Sequence, residues 1–340
     1  MNRSGDRRGG DGAGRKAAAT TPRCALALLM ACAAPGPAIG EMIGVAVSSP
    51  GSVFHSSGTA LAVVANEEAR LPTTVQSFAS PNVYLPSIDA GEIDFGISNV
   101  GDVRLATAGE MHFQGRALSN IRAAAVMFPL RMAVFVREDS PIRSLEDLRG
   151  RRVPTGFAGQ KTIEPLFNAA LATEGVSTAD FVQVSVPNVV AGANAFIEGQ
   201  ADAFFFALGA AKVREADAAV GGLRALPLVN TVERVAALQS FWPVGYLLEA
   251  GPSPANTGVL EPMFTLTHDA IVVTSVSAPD EEVYAVVKAM HDHPDALAAA
   301  FGPFSQFDPT RMWVEIADVD WHPGALAFYR EIGLIDETVE

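Results

Sequence analysis

Residues 151–175 read RRVPTGFAGQKTIEPLFNAALATEG, an order that predicts a buried strand, a glycine-bearing loop and a helix. Ile163, Leu166, Phe167, Ala170 and Leu171 recur at the helical period and supply one apolar face. Pro165 fixes where that helix begins. Proline is tolerated only in the first turn, whose N–H groups have no intrahelical partner, so the N-cap falls within 160–162. Gly175 suits a left-handed stop. Lys161 then stands at the positive end of a helix dipole, a poor place for a cation unless an anion is near. Two readings follow: an anion held by free helix N–H groups and the ammonium, or a solvated lysine balanced by Glu164.

Outward from this stretch, strands and helices alternate over short connections, which implies βαβ units and a mostly parallel sheet. Strands are expected at 42–47, 73–78, 93–98, 181–186 and 201–208, the last an unbroken apolar ADAFFFAL suited to a sheet covered on both faces. Residues 121–128 and 132–137 read as two strands separated by Pro129. Ser144 to Asp147 resembles a capping box opening a very short helix. The Pro/Gly-rich 243–262 reads as connection, with a further strand at 270–275 and helices at 280–290 and 323–332. Gly91-Glu-Ile-Asp94 and Gly199-Gln-Ala-Asp202 each stand between a short helix and a buried strand, and Pro81-Asn82 and Pro187-Asn188 each follow an earlier strand. Two similar α/β lobes are expected, with loops at the carboxyl ends of parallel strands facing a cleft.

The chain has 340 residues, 49% hydrophobic, enough for a sizeable core in two compact units. Its net charge of −14 speaks against nucleic acid as a partner, since an acidic surface repels phosphate. Residues 1–23 are basic, CALALLMACAA (24–34) is apolar but too short to span a bilayer, and Ala38-x-Gly40 is a small-residue cleavage pattern: 1–40 reads as an export signal. An alternative takes Leu29 to Cys32 as a lipoprotein box with Cys32 lipidated. Removal of 1–40 leaves 18 basic and 36 acidic residues, and no cysteine. Thiol catalysis, thiolate metal sites and disulfides are thereby excluded from the body. There is no Gly-x-Ser-x-Gly elbow, zinc spacing or phosphate loop, so neither an enzyme nor a metal or cofactor is expected. His291-Asp-His293 lacks a partner cluster and reads as a solvated helix end.

Five segments resemble the TAXI family, the solute-binding subunits of tripartite (TRAP) transporters. They are IDAGEIDFGISNVGDV, FPLRMAVFVREDSPIRSLEDLRGRRVP, GFAGQKT, AFFFALGAAKVREADAAVGGLRALPL and WHPGALAFYREIGL, spread over about 43–335. The resemblance implies a type II periplasmic binding fold of two lobes, 42–130 plus 266–340 and 131–265, closing on a solute about a hinge. It also implies delivery to a membrane permease, with an ABC importer or a sensor kinase as alternative partners. The chain departs from the family at Gln160-Lys161, where a Gly-Ser-Gly-Thr loop is usual, and at the first loop, Ser48 to His55. The family's ligands therefore do not transfer. A small organic anion is the expected solute. The candidate ligand residues are the loop ends: Ser48, Ser49, Ser52, His55, Asn82, Tyr84, Ser98, Asn99, Phe157, Gln160, Lys161, Thr162, Asn188 and Gly209. Ser48, Ser49 and Ser52 also suit capping of the helix that follows, and Asn82 and Asn188 suit turns.

Overall fold

The computed structural model describes residues 42–338; the leader expected at 1–40, with Cys24 and Cys32, lies outside them. In chain order the elements are β1 (Ile43–Val47), α1 (Val53–Glu67), β2 (Thr73–Ser77), α2 (Pro81–Asp89), β3 (Phe95–Asn99), α3 (Val100–Ala108) and β4 (Ile121–Arg137). Then come β5 (Arg152–Thr155), α4 (Ile163–Ala172), β6 (Val182–Ser185), α5 (Val189–Ile197), β7 (Phe204–Ala207), α6 (Ala211–Val220) and β8 (Leu223–Ala225). The remainder is α7 (Val232–Gln239), β9 (Tyr246–Ala250), β10 (Met263–Ser275), α8 (Asp280–Asp292), α9 (Pro294–Ala300) and α10 (Pro323–Glu331).

The fold is a two-lobed α/β architecture of the type II periplasmic binding class. The large sheet runs β2-β1-β3-β10-β4-β7, with β8 on β4 and β9 on β10. Parallel pairs join β1 to β2 and β3, and β5 to β6. The two long strands add antiparallel pairs, so the large sheet is mixed. At 17 residues, β4 is far longer than the 3–10 usual in globular proteins. Its first half pairs with β10 beside β3, and its second half pairs with β7 and β8. Both lobes thus share it.

The two strands expected on either side of Pro129 are therefore one. Proline lacks a ladder donor, and Pro129 is placed opposite Asp269, where the β4–β10 register shifts between Asp269 and Ile271. The missing N–H falls where the ladder is already irregular. β10 likewise starts at Met263 rather than Ala270, because Thr265, Thr267 and His268 interrupt an apolar pattern without interrupting the strand. Its partner β9 lies in the stretch expected to be connection; pairing to a strand distant in sequence decides its conformation.

The echo between the lobes has a physical basis. Asp94 Oδ2 accepts from the amide of Gly44 in β1 at 2.7 Å, and Asp202 Oδ2 accepts from that of Arg152 in β5 at 2.8 Å, each across 50 residues. Gly91 and Gly199 both adopt left-handed backbone, φ 71° and 74°. The Pro-Asn pairs are not equivalent. Asn188 is the N-cap of α5, whereas in α2 that place belongs to Ser80 and Asn82 lies inside the helix. In the quoted stretch, α4 begins after Thr162 with Pro165 in its first turn, and Gly175 (φ 62°) takes the left-handed conformation beyond Thr173. Ser144 and Asp147 make the expected reciprocal bonds.

Alternation along β7 covers it on both faces. Phe204 packs on Phe135 (5.2 Å between ring centroids) and Phe205 on Phe167 of α4 (4.9 Å), contacts of about 0.5–1.5 kcal/mol each beyond area burial. The tightest packing is at the start of α3. A Cβ on Gly101 would stand 2.0 Å from Cζ2 of the buried Trp242 indole, so only glycine fits there. Gly101→Ala is expected to lower stability by about 1–3 kcal/mol in urea denaturation; an unchanged midpoint would contradict this packing.

Candidate ligand-binding cleft

The loops after β1, β3 and β5, the N-termini of α1, α3, α4 and α5, and the middle of the two long strands converge on one cavity of about 50 Å³. Its floor is set by the ladder: His268 of β10 pairs with Leu130 of β4, and both line the cavity, with Met132 two residues on. Phe206 and Ala207 of β7, Ile163 and Leu166 of α4, Val189 of α5, Val53 and Phe54 of α1 and Trp242 complete an apolar wall. The polar groups on the lining are Ser48, Ser52, Asn99, Asp102, Gln160, Thr162 and His268. Ser80 Oγ donates to Gly159 O at 2.7 Å, and the Lys212 amide to Gly51 O at 3.2 Å, each joining two loops far apart in sequence.

Several lining groups are committed to holding their own loops. Ser52 Oγ accepts from the His55 amide as N-cap of α1, and Gln160 Oε1 accepts from the Val189 amide. Asn99 caps α3 by accepting from the Asp102 amide, and its Nδ2 donates to Asp102 Oδ2, both at 2.9 Å. Other groups have capacity to spare. Ser48 Oγ, Asp102 Oδ1 and His268 Nε2 are buried without a hydrogen-bond partner in the protein.

Asp102 is 2% exposed, and burial pushes its pKa up to about 7 against the pull of the Thr162 hydroxyl and the Asn99 amide. His268 is 1% exposed, and burial pushes its pKa down to about 3, so the ring is neutral at physiological pH. Its tautomer follows from its neighbour. The Trp242 indole N–H can only donate, and it donates to His268 Nδ1 at 2.8 Å, which leaves the ring proton on Nε2. The cavity therefore offers one N–H donor from His268, hydroxyls from Ser48 and Thr162, and one carboxyl oxygen. The charged groups fall elsewhere: no lysine or arginine is among the residues that line it.

Of the residues expected at the ligand, Ser48, Ser52, Asn99, Gln160 and Thr162 line the cavity. Lys161 does not. It is exposed where its neighbour Thr162 lines the cavity, and its charge is felt by His112. Ser49 Oγ lies 3.4 Å from Phe78 O, and Asn82 Oδ1 accepts from Ser80 Oγ. Asn188 Oδ1 caps α5, and His55 lies in the first turn of α1. Tyr84 and Ser98 are fully buried off the lining, the Tyr84 hydroxyl donating to Ile97 O. Phe157 is core. Gly209 borders a separate cavity of about 20 Å³ beside Arg131, whose guanidinium donates to Gln306. The residues off the lining lie there for different reasons: Asn188 caps a helix, Tyr84, Ser98 and Phe157 are buried in the core, and Lys161 is exposed while its neighbour Thr162 lines the cavity. Sequence reasoning missed Asp102, Trp242 and His268. Two signals were present, a histidine inside an otherwise strand-like FTLTHDAIVV and the Asn99-x-x-Asp102 spacing of a helix start.

Comparison with known proteins bears on the fold. A solved structure described as a periplasmic transporter is 15% identical, with 86% of this chain and 93% of that one aligned at a TM-score of 0.54. A protein from Bordetella bronchiseptica RB50 is 14% identical over 86% of this chain and 98% of its own, TM-score 0.52. A periplasmic sulfonate-binding protein of an ABC transporter from Methylobacillus flagellatus KT is 15% identical, covering 88% and 98%, with a TM-score of 0.48. At such identities the likeness is one of fold. The sequence itself matches the profile of the NMT1-like family over residues 45–333, almost the whole described chain, and the chain belongs to that family.

Proposed function

We propose that the protein is an extracytoplasmic receptor, not an enzyme, that captures a small solute between its lobes and presents the closed form to a membrane partner. The observation that carries this reading is the cavity at the middle of β4 and β10, lined by residues of both assigned lobes, where Ser48 Oγ, Asp102 Oδ1 and His268 Nε2 are buried without a protein partner. The lobes we assign to 42–130 with 266–340 and to 131–265, turning about the register shift beside Pro129. A receptor needs only different affinity for its open and closed states. The ligand residues are then Ser48, Asn99, Asp102, Thr162 and His268, with Trp242 as wall and positioning group. The expectation of an anion rested on Lys161, and its exposure removes that ground.

For the partner, the segments quoted above support a tripartite permease. The NMT1-like family and the periplasmic fold support the wider class equally well, an ABC importer or a sensor kinase included, and they favour no single system within it. Pull-down of membrane partners by the solute-loaded chain separates the three.

Two outcomes are expected. In calorimetry with the solute that the purified chain carries, Lys161→Ala leaves affinity within about twofold, whereas Thr162→Val weakens it about tenfold, one neutral hydrogen bond being worth about 1 kcal/mol. A large loss at Lys161 would move the site to the loop's outer side. The second outcome concerns pH. Asp102 is raised from its ordinary 3.8 to about 7, so its contribution to stability is full below about pH 4 and is lost as pH rises through 7. His268 has the opposite slope, lost as pH falls toward 3, and is common to parent and variant. Asp102→Asn should therefore gain on the parent by on the order of 2 kcal/mol between pH 5 and pH 8 in urea melts. Parallel profiles would place Asp102 in a solvated setting.

A further inference from the structure

We propose that the polar end of the cavity receives a positively charged nitrogen, so that the solute is a small organic amine or amidine with a short apolar body. This class rests on the receptor reading above and sharpens it. Asp102 carries the lining's only ionisable oxygen, and Oδ1 is buried with no protein partner while Oδ2 is held by Asn99. A carboxylate so enclosed is costly unless a cation or donor meets it. Among the described residues no cation lines the cavity: Lys161 is exposed, Lys212 Nζ is taken by Glu215 at 2.7 Å, and Arg131 borders the separate small cavity.

His268 cannot supply the charge either. Its Nδ1 is occupied by Trp242, and its burial holds it neutral. A carboxylate solute could sit beside Asp102 only with a proton kept between the two acids, since both ionised would repel among apolar walls, whereas a cation lets Asp102 ionise. An ammonium or amidinium would instead donate to Asp102 Oδ1 and to Ser48 Oγ, with the aromatic faces of Phe54, Phe206 and Trp242 near the cation or its body. The cavity of about 50 Å³ suits a small solute with a short body.

The test compares n-butylammonium, 1-butanol and butyrate on the intact chain by calorimetry, with parent and Asp102→Asn. The expected result is that butylammonium binds most tightly, loses at least thirtyfold in affinity in the variant, and there binds no better than butanol. Urea melts keep the reading clean, since Asp102→Asn should leave the chain folded. Butyrate binding more tightly than butylammonium, or an ammonium affinity unmoved by Asp102→Asn, overturns the proposal. The solute released from freshly purified protein by denaturation gives a second readout, by mass spectrometry. A basic nitrogen in it supports the class. Its absence overturns the class while leaving the receptor reading intact, whereas failure of every probe to bind, with no solute released, overturns both.

Discussion

The antiparallel ladder between β4 and β10 is the constraint on which the rest depends. Two strands of 17 and 13 residues pair with each other and pass through both lobes, so the lobes share their central strands. Backbone hydrogen bonds hold each half firmly to its own lobe: β3 on one side, β7, β8 and β9 on the other. Between the halves the register shifts, beside Pro129. The regular ladder is interrupted there, and this is where we propose that closure occurs. The same point delivers the paired His268 and Leu130 to the cavity floor. The proposed hinge and the candidate site thus fall at the same place in the strand pair.

From that floor the polarity of the cleft follows by steps. His268 is buried within a strand and must be neutral. It must also accept at one nitrogen, because Trp242 has only a donor. Trp242 reaches it because Gly101 leaves room for the indole. Gly101 in turn belongs to the first turn of α3, whose N-cap Asn99 fixes Asp102 by two hydrogen bonds. Glycine, tryptophan, histidine and aspartate thus form one connected set across β10, α3 and the loop after α7. The contacts of Trp242 with Gly101 and with His268 join residues far apart in sequence. Removing any one frees the others to shift, so mutational effects within the set should not add.

Much of the fold could be read from the chain because local rules and tertiary structure agreed. Pro165 and Thr162 placed α4, Gly91 and Gly199 with their aspartates marked the repeated unit, and AFFFAL announced a strand covered on both faces. Where tertiary pairing decided, local rules failed: Pro129 lies inside one strand, and β9 formed in a stretch rich in proline and glycine because β10 was there to pair with it. The candidate site was legible only at the level of loops. Reading loop ends found Ser48, Ser52, Asn99, Gln160 and Thr162. It could not decide that Thr162 faces in while Lys161 faces out, since that depends on the rotation of a helix start against β7 and α5. Asp102 resembled an ordinary first-turn acid, and its burial is a property of the assembled lobes. The charge pattern of the sequence pointed to Lys161, which does not line the cavity, and gave no sign of Asp102, which does.

The central claim is that ligand recognition resides at the junction of the long strands, between Asp102 and His268. A crystal structure of the solute-loaded protein tests it most directly. The account predicts solute density within hydrogen-bond distance of Asp102 Oδ1 and His268 Nε2, with Leu130 and Phe206 against its apolar part. Density centred instead on Lys161 at the outer face of the loop, or on Arg131 and Gly209 in the smaller cavity, would contradict it.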